Sequence, residues 1–376
     1  MGHHYLIVGS GLTGAVIARQ LVDVGERVLV VERRSHIGGN VHDHFHPSGI
    51  RIHTYGPHYF RTNDEVLWAF VNRFSAFYKY EPELKSFVDD GFENWPVTAS
   101  YIRRTIGEQW EPAFKGKPAN FEEASLSMMP LAIYEKFVKG YTEKQWGVPP
   151  RTLSADLAKR FDVCADNDLR LVKHKYQGIP ENGYAEFMRR MLEYVPVLLN
   201  CDYLKYREEF KSAQKIIFTG SIDEYFGFDL GRLKYRSQRR EHEYLPNVDF
   251  AQPCGQVNNP DPANGPHIRT LEWKHMMPGH YAKQIHGTVI SREVTITQDN
   301  PNDYEYPFPD ETNAQLYQRY RKKADLIPNL LVCGRLGEYR YYDMDQAIAR
   351  SMLLAKQIIG SKSGKAGKID QRDALK

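Results

Sequence analysis

The feature that most constrains the fold is a glycine motif near the start of the chain, Gly9-Ser10-Gly11-Leu12-Thr13-Gly14. It follows the apolar run 5–8 and precedes an apolar helical pattern carried by Ala15, Ile17, Ala18, Leu21 and Val22. A buried strand, a G-x-G-x-x-G turn and a helix are typical of a dinucleotide-binding unit. Gly9 permits the turn, Gly11 lets the backbone approach a pyrophosphate, and Gly14 lets the helix pack against the strand. The N-terminus of the helix offers free N–H groups to phosphate oxygens.

A second apolar strand and an acidic residue follow at the expected spacing. The strand 28–31 ends at Glu32, roughly 20 residues beyond the motif, where a carboxylate contacts ribose hydroxyls. Arg33 and the turn Gly38-Gly39-Asn40 come next. Two adjacent glycines permit close contact with a cofactor, although a plain loop also uses them. The order of elements favours a bound dinucleotide over a glycine-rich loop without a ligand.

Composition excludes several classes of partner. The 376 residues include 41% hydrophobic and 26% charged residues, as in ordinary globular proteins, and predict two or three domains. A net charge of +3 is too small to indicate nucleic-acid binding. No apolar run approaches the ~20 residues of a membrane span. The cysteines, at 164, 201, 254 and 333, are too far apart for a zinc site or a disulfide framework, so we expect no metal and a cytoplasmic location.

The domain order follows from a second strand–glycine–helix unit at the far end of the chain. The strand 330–333 enters Gly334 and is followed by a helix at 344–358, and another strand at 215–219 ends at Gly220. The nucleotide domain is therefore predicted to be discontinuous, built from residues 1–65, 183–222 and 325–360. Residues 66–147 predict a helical domain with few clear strands. Residues 148–182 and 223–324 predict a mobile loop and an antiparallel-sheet substrate domain, and 361–376 a disordered tail.

Three longer motifs carry a resemblance to known proteins. They are the turn H-I-G-G-N at 36–40, the stretch K-G-Y-T-E-K-Q-W-G at 139–147, and G-R-L-G-E-Y-R-Y-Y-D-M at 334–344. An acid followed by the first of these resembles FAD-binding proteins of the amine-oxidase-like group. Together, and nearly end to end, the motifs resemble the bacterial UDP-galactopyranose mutase family. The resemblance implies an α/β fold: a discontinuous Rossmann-like FAD-binding domain with an inserted helical domain and an antiparallel twisted-sheet domain.

The family resemblance also implies an isomerase that uses FAD in its reduced form. Its members interconvert UDP-galactopyranose and UDP-galactofuranose without net redox: the flavin N5 attacks the anomeric carbon and displaces UDP. Because the nucleophile belongs to the cofactor, the absence of a Ser-His-Asp set is expected. The implied partners are a nucleotide-sugar substrate and NAD(P)H or another reductant. A homodimer is left open.

Site residues are carried over from the family motifs. Arg160 and Arg269 match arginines that bind the diphosphate, for which a planar guanidinium suits, although each alone reads as a surface charge. Asn259 matches a sugar-site asparagine. His58 matches a histidine near the flavin ring, where a catalytic role in tuning reduced flavin and a plain bond to a backbone group are both left open. The other matches are diphosphate contacts at Tyr306 and Tyr341, flavin-proximal residues at Gly334, Arg335, Asp343 and Met344, and base-contacting aromatics at Phe137, Tyr141 and Trp146. Without the family, these last three aromatics would read as helix-core residues.

Two departures from the family pattern bear on the substrate. Arg61 replaces a histidine near the sugar site, and Leu171 replaces a tyrosine that usually helps to hold the nucleotide. A permanently charged donor at 61 suits an additional acceptor, such as an acetamido carbonyl. UDP-galactose is therefore the first expectation and UDP-N-acetylgalactosamine or another nucleotide sugar the alternative. An FAD-dependent oxidoreductase and a non-catalytic nucleotide-sugar binding module are more remote alternatives.

Overall fold

The computed structural model describes residues 4–160, 167–171, 173–210 and 213–362, apart from the side chains of residues 159, 160, 361 and 362. Its strands are β1 (Tyr5–Val8), β2 (Val28–Val31), β3 (Asp43–Phe45), β4 (Arg51–His53), β5 (Phe60–Thr62), β6 (Phe77–Lys79), β7 (Leu84–Val88), β8 (Gly91–Trp95), β9 (Tyr176–Pro180), β10 (Val197–Leu198), β11 (Lys215–Phe218), β12 (Tyr235–Leu245), β13 (Gln256–Asn258), β14 (Arg269–Glu272), β15 (Thr288–Thr297), β16 (Tyr306–Pro307) and β17 (Leu330–Val332). Its α-helices are α1 (Leu12–Asp23), α2 (Glu65–Asn72), α3 (Ala99–Thr105), α4 (Phe121–Leu126), α5 (Leu131–Ile133), α6 (Gly140–Trp146), α7 (Gly183–Met191), α8 (Ile222–Tyr225), α9 (Gly279–Ala282), α10 (Glu311–Asp325), α11 (Gly334–Gly337) and α12 (Met344–Lys362).

A five-stranded parallel sheet in the order β10-β2-β1-β11-β17 forms the first layer of the molecule. Strands β1, β2 and β17 are short, wholly apolar runs or nearly so, as expected for a parallel sheet that is covered on both faces. Helices α1 and α12 share one hydrophobic core with β1 and β2. Because the strands come from three distant stretches, the discontinuous Rossmann-like fold predicted from the sequence is confirmed.

The predicted close approach of α1 to β1 depends on glycine. A Cβ added at Gly14 would lie 2.0 Å from the carbonyl oxygen of Gly9, so no larger residue fits there without moving the backbone. Gly9 itself has a φ of 101°, in the left-handed region that favours glycine. The glycine spacing therefore sets the distance between helix and sheet.

A seven-stranded sheet in the order β16-β12-β15-β14-β13-β7-β8 forms the second layer. All of its pairs are antiparallel except β13 with β7. The prediction of few clear strands in 66–147 was wrong, because β6, β7 and β8 lie there and two of them extend this sheet. Buried Leu84, Ser86 and Val88 alternate with half-buried residues, which is the period of a strand. The domain boundaries stay a prediction.

Helices α3 to α6 surround a separate hydrophobic core beside the second sheet. Pro130 is the N-cap of α5 and so begins a new helical segment. A π-helical segment, Tyr134–Lys139, then continues into α6. Helix α12 runs to Lys362, so the first two residues of the predicted tail 361–376 are helical, and residues 363–376 lie outside the described residues. None of the helices among the described residues is both long and apolar enough to span a membrane.

Helix α6 begins with a glycine that touches the loop after β13. A Cβ at Gly140 would lie 2.3 Å from the carbonyl oxygen of Pro260, whereas one at Gly360 in α12 would meet nothing within 4 Å. Helix propensity alone favours Ala over Gly by about 1 kcal/mol, but forcing atoms into a packed contact costs about 1–3 kcal/mol. We expect Gly140→Ala to lower the free energy of unfolding in urea titrations and Gly360→Ala to leave it unchanged or raise it. Equal stability of the two variants would contradict the contact.

Candidate functional site

A cleft opens where β1 and β2 end, between the parallel sheet and the loops that follow it. Ligands of open α/β sheets bind at this carboxyl edge. Most of the residues predicted to bind a cofactor line this cleft: Gly9, Gly11, Glu32, Arg33, Gly38, Gly39, Asn40, Gly334, Arg335 and Met344. Gly14 and Asp343 do not line it. Gly14 packs α1 onto β1, and Asp343 faces other side chains.

One end of the cleft is a cradle of backbone and a carboxylate. A Cβ at Gly39 would lie 2.8 Å from Cα of Gly11, so the two glycine turns rest on each other. The N-cap of α1 is Gly11, which has no side chain to accept a hydrogen bond from the first turn of the helix. Glu32 is buried and accepts hydrogen bonds at 2.8 Å from N and Oγ of Ser10 and at 2.9 Å from N of Arg34. These bonds orient its carboxylate at the rim, beside the helix N-terminus, where an anion is favoured.

Several residues around this end were missed by the sequence analysis. Arg33 forms a bidentate pair with Glu224 at 2.8 and 2.9 Å, and Arg34 donates to Asn40 Oδ1 at 2.9 Å. Arg34, Glu224, Tyr203 and Thr219 line the cleft with the predicted residues. Arg34 directly follows the predicted Arg33. Tyr203 follows β10, and Thr219 and Glu224 follow β11, far from the glycine motif in sequence, so no local pattern indicated these three.

The other end of the cleft holds His58 and Arg335. The Nδ1–H of His58 donates to the carbonyl oxygen of Gly56 at 2.7 Å, because a carbonyl only accepts. Burial, reinforced by the positive charge of Arg335, lowers the pKa of His58 to about 3. The imidazole is therefore neutral, and its Nε2 carries a lone pair. Arg335 is held by the carbonyl oxygen of Tyr342 at 2.7 Å.

The predicted diphosphate tyrosines lie together beside Arg335. The rings of Tyr306 and Tyr341 are stacked with centroids 6.2 Å apart, and the Arg335 guanidinium lies 5.7 and 5.1 Å from the two ring centroids. Burial raises the pKa of Tyr306 to about 12, which keeps its hydroxyl protonated. The hydroxyl of Tyr341 donates to Asp343 Oδ1 at 3.1 Å. This arrangement presents phenol and guanidinium donors to one region.

Asp343 also holds Arg61. Its Oδ2 lies 3.0 Å from Nη2 of Arg61, and the pair is partly buried. Burial opposes the charge of Arg61, but Asp343 raises its pKa above the usual range. Arg61 lies on β5 and was singled out in the sequence as a departure from the family pattern. It therefore contacts the turn that carries Tyr341, one of the two predicted diphosphate tyrosines. The predicted flavin contact of Asp343 stays a prediction.

Of the two predicted diphosphate arginines, only Arg269 has a described side chain. It lies on β14, and its Nε donates to the buried carboxylate of Glu293. Its terminal nitrogens have no partner among the described residues. Arg160 ends the short helical segment Ala155–Arg160, and its side chain lies outside the described residues.

The predicted base-contacting aromatics occupy different environments. Phe137 is 3% exposed and packs against Trp95 and Tyr101, so it lies in the helical core. Trp146 is half-buried with its ring edge-on to Phe308. Tyr141 is half-buried and close enough to Arg269 to influence its pKa. Leu171 packs against the same core as Phe137. Base contacts for these residues stay predictions.

Helix α6 is tied to the loop that carries Asn259. Nζ of Lys144 donates to the carbonyl oxygens of Asn259 at 2.9 Å, Asp261 at 2.7 Å and His267 at 3.2 Å. The side-chain amide of buried Asn259 donates to the carbonyl oxygens of Asn264 and His267, both at 3.1 Å. Lys144, unremarked in the sequence, thus fixes Asn259 relative to Tyr141 on the same helix.

Comparisons with known proteins show the family of this chain. A family profile described as UDP-galactopyranose mutase matches residues 136–341, and an NAD(P)-binding Rossmann-like domain profile matches residues 7–74. The chain is 31% identical over 369 residues to a probable UDP-galactopyranose mutase of Klebsiella pneumoniae, covering 95% of this chain and 94% of that protein. The chain belongs to the UDP-galactopyranose mutase family. It is therefore an isomerase of the mutase type, and the family with its Rossmann-like domain indicates a flavoprotein.

Two further family comparisons bear on substrate and fold. A dTDP-fucopyranose mutase of Escherichia coli is also 31% identical, over 373 residues, covering 94% of this chain and 98% of that protein. The crystal structure of a reduced UDP-galactopyranose mutase superposes with a TM-score of 0.74 at 14% identity, covering 96% of both chains. At that identity the superposition shows the fold alone. The relatives thus share a mutase scaffold and differ in the nucleotide and sugar named for them.

The neutral state of His58 predicts a pH dependence of stability. Its folded pKa of about 3 lies below the unfolded value of about 6.5, so below pH 6.5 only the unfolded chain takes up the proton. Stability therefore falls with acidification, and His58 contributes about 1.4 kcal/mol per pH unit to that slope. We expect urea titrations of His58→Gln between pH 6.5 and 5 to give a correspondingly shallower slope. The same substitution at exposed His280 controls for the change of side chain, and a His58→Gln slope equal to that of the unmodified protein would contradict the assignment.

Proposed function

We propose that this protein interconverts UDP-galactopyranose and UDP-galactofuranose with FAD bound in its reduced form. The observation that carries the proposal is the continuity of the cleft. It runs from the glycine cradle at Gly11 to His58 and Arg335, and Arg335 lies beside Tyr306 and Tyr341. A dinucleotide bound with its pyrophosphate at Gly11 would place its ring system near His58 and Arg335. That end lies beside the side chains that suit the diphosphate of a nucleotide-sugar substrate.

The residues present fit FAD at both ends. Gly11 and Gly39 leave room for a pyrophosphate at the start of α1, and the oriented carboxylate of Glu32 suits ribose hydroxyls. Arg335, His58 and Met344 would surround the ring system at the other end. When bound in reduced form, FAD supplies the nucleophilic N5 atom for the anomeric carbon.

The side chains of the protein then act on the leaving diphosphate and beside the reacting carbon. Arg269, whose contact with Glu293 uses only Nε, would bind the diphosphate oxygens with its two terminal nitrogens. Preorganised charge of this kind stabilises the negative charge that develops as the sugar–phosphate bond breaks. Tyr306 would add a hydroxyl donor, Tyr341 would add another on turning its hydroxyl from Asp343 to the diphosphate, and Arg160 is proposed as a second guanidinium. Neutral His58 offers an acceptor without adding charge near the reacting carbon.

Arg61 bears on the identity of the sugar in the proposed substrate. Its guanidinium is held by Asp343 at 3.0 Å, next to Tyr341, and so adds a fixed donor group close to the proposed diphosphate site. The comparison proteins are named for UDP-galactopyranose and dTDP-fucopyranose. The same reaction on another nucleotide sugar, including UDP-N-acetylgalactosamine, is therefore the second candidate. The natural reductant, a homodimer and the cytoplasmic location stay predictions.

The function is tested by product analysis under reducing conditions. The purified protein is incubated with UDP-galactopyranose under anaerobic dithionite, with NADPH, or with no reductant, and nucleotide sugars are separated by chromatography. We expect UDP-galactofuranose only in the reduced samples and no net oxidation of sugar. An oxidised sugar would favour the oxidoreductase alternative. Absence of any isomer from UDP-galactose, UDP-N-acetylgalactosamine and dTDP-fucose, despite fully reduced bound flavin, would refute the mutase proposal.

Arg61 is tested by its effect on substrate preference. We expect Arg61→His to change the ratio of kcat/KM values between UDP-galactopyranose and UDP-N-acetylgalactosamine by about tenfold, the size of one lost charge-assisted hydrogen bond. Arg61→Lys keeps the charge but loses the planar fork, and so separates charge from geometry. Arg73→His, at an exposed arginine on the surface, is the matched control. An unchanged ratio in Arg61→His would remove this residue from substrate selection.

A further inference from the structure

Four charged side chains meet in the second sheet beside the cleft. Nε of Arg240 lies 2.8 Å from Glu293, and its Nη1 and Nη2 lie 2.9 and 3.0 Å from the two oxygens of Glu305. Nε of Arg269 donates to the other oxygen of Glu293. The Glu293 side chain is fully buried, and those of Arg240 and Glu305 are nearly so. We call these four residues the buried ionic quartet.

The register of the sheet brings the quartet together. Glu293 lies on β15, directly opposite Arg240 on β12 and Arg269 on β14. Side chains at directly opposed positions share a face and lie about 5 Å apart at Cβ. Glu293 is therefore the shared centre, and it gives one oxygen to each arginine.

Stability alone does not account for this arrangement. Buried ion pairs lose so much hydration that well-packed apolar residues usually serve stability equally well or better. The quartet instead restrains direction. Glu293 holds only Nε of Arg269, which leaves the two terminal nitrogens without a hydrogen bond to another described residue, and a planar fork binds phosphate oxygens in pairs.

The quartet also touches the turn that carries His58. A Cβ added at Gly56 would lie 3.0 Å from Nη2 of Arg240, 3.1 Å from Oε1 of Glu293 and 3.6 Å from Nη2 of Arg269. The carbonyl oxygen of Gly56 holds the imidazole of His58. One carboxylate thus lies between the proposed diphosphate-binding arginine and the histidine at the far end of the cleft.

We propose that Glu293 is a positioning residue that orients Arg269 for the diphosphate of the nucleotide sugar and supports the Gly56 turn under His58. This inference rests on the proposed function, because it requires a diphosphate ligand. It assigns Glu293 no contact with substrate. Its action passes through the two arginines on neighbouring strands.

Glu293→Gln separates positioning from simple charge. The amide keeps the shape of the carboxylate but replaces one of its two oxygens with an NH2 donor, so it no longer offers a separate acceptor oxygen to each arginine. If Glu293 merely lowered the local positive charge, its loss would tighten the binding of a diphosphate. If it positions Arg269, the binding weakens. The two readings therefore predict opposite signs.

The experiment measures dissociation constants for UDP and uridine by calorimetry on the flavin-loaded protein, and for dTDP and thymidine in parallel. We expect Glu293→Gln to raise the constant for the diphosphate about tenfold or more, as for a lost charge-assisted contact, and to leave that of the nucleoside within about twofold. Glu293→Asp keeps the charge but is too short to reach both arginines. It should shift the same ratio in the same direction and serves if the Gln variant does not fold.

The matched control is Glu272→Gln, on β14 with Arg269. Glu272 is equally buried but accepts from Ala251, Gln252 and Thr288 instead of arginines. It should lower the unfolding temperature without changing the diphosphate-to-nucleoside ratio. If the ratio of the diphosphate dissociation constant to the nucleoside dissociation constant is unchanged or lower in both Glu293 variants, the inference is overturned. Failure of the unmodified protein to bind either diphosphate would instead count against the proposed function.

Discussion

The structure depends on a backbone contact that only glycine permits. Gly9 and Gly14 let α1 pack directly onto β1, and Gly39 brings the following turn against Gly11. These approaches place a helix N-terminus, two glycine turns and the Glu32 carboxylate at one edge of the parallel sheet. A Cβ at Gly14 would push α1 away from β1, and one at Gly39 would push the following turn away from Gly11, where a pyrophosphate is proposed to bind. The shape of the cleft therefore depends on the absence of Cβ atoms at these glycines.

The second sheet contributes the buried charged side chains beside the cleft that the parallel sheet forms. Its central strands bring Arg240, Glu293 and Arg269 onto one face, and the loop before β16 adds Glu305. Burial makes the direction of each guanidinium depend on its partners, because solvent no longer competes for the donors. The two layers meet at Arg335, which lines the cleft and contacts the carbonyl oxygens of Tyr342 and Glu305.

Much of the cofactor end was predictable because it is local. Strand, turn, helix and acid follow one another within the first forty residues, so their spacing alone brings Gly9, Gly11 and Glu32 together. The strands β7 and β8 were harder to predict. They lie in a stretch between helices, and their place at the end of the sheet depends on pairing with β13, more than 150 residues away. Tertiary pairing decided their conformation.

The sequence by itself determined the family, the discontinuous Rossmann-like fold and the candidates Arg61 and Arg269, because long motifs and glycine spacing are legible along the chain. Only the tertiary structure decided which charges meet. Glu293 faces Arg269 and Arg240 from positions 24 and 53 residues away, and Asp343 reaches Arg61 across 282 residues. Such pairs follow from strand register and from the docking of one layer on another. Their energies depend on burial, which no single stretch of sequence specifies.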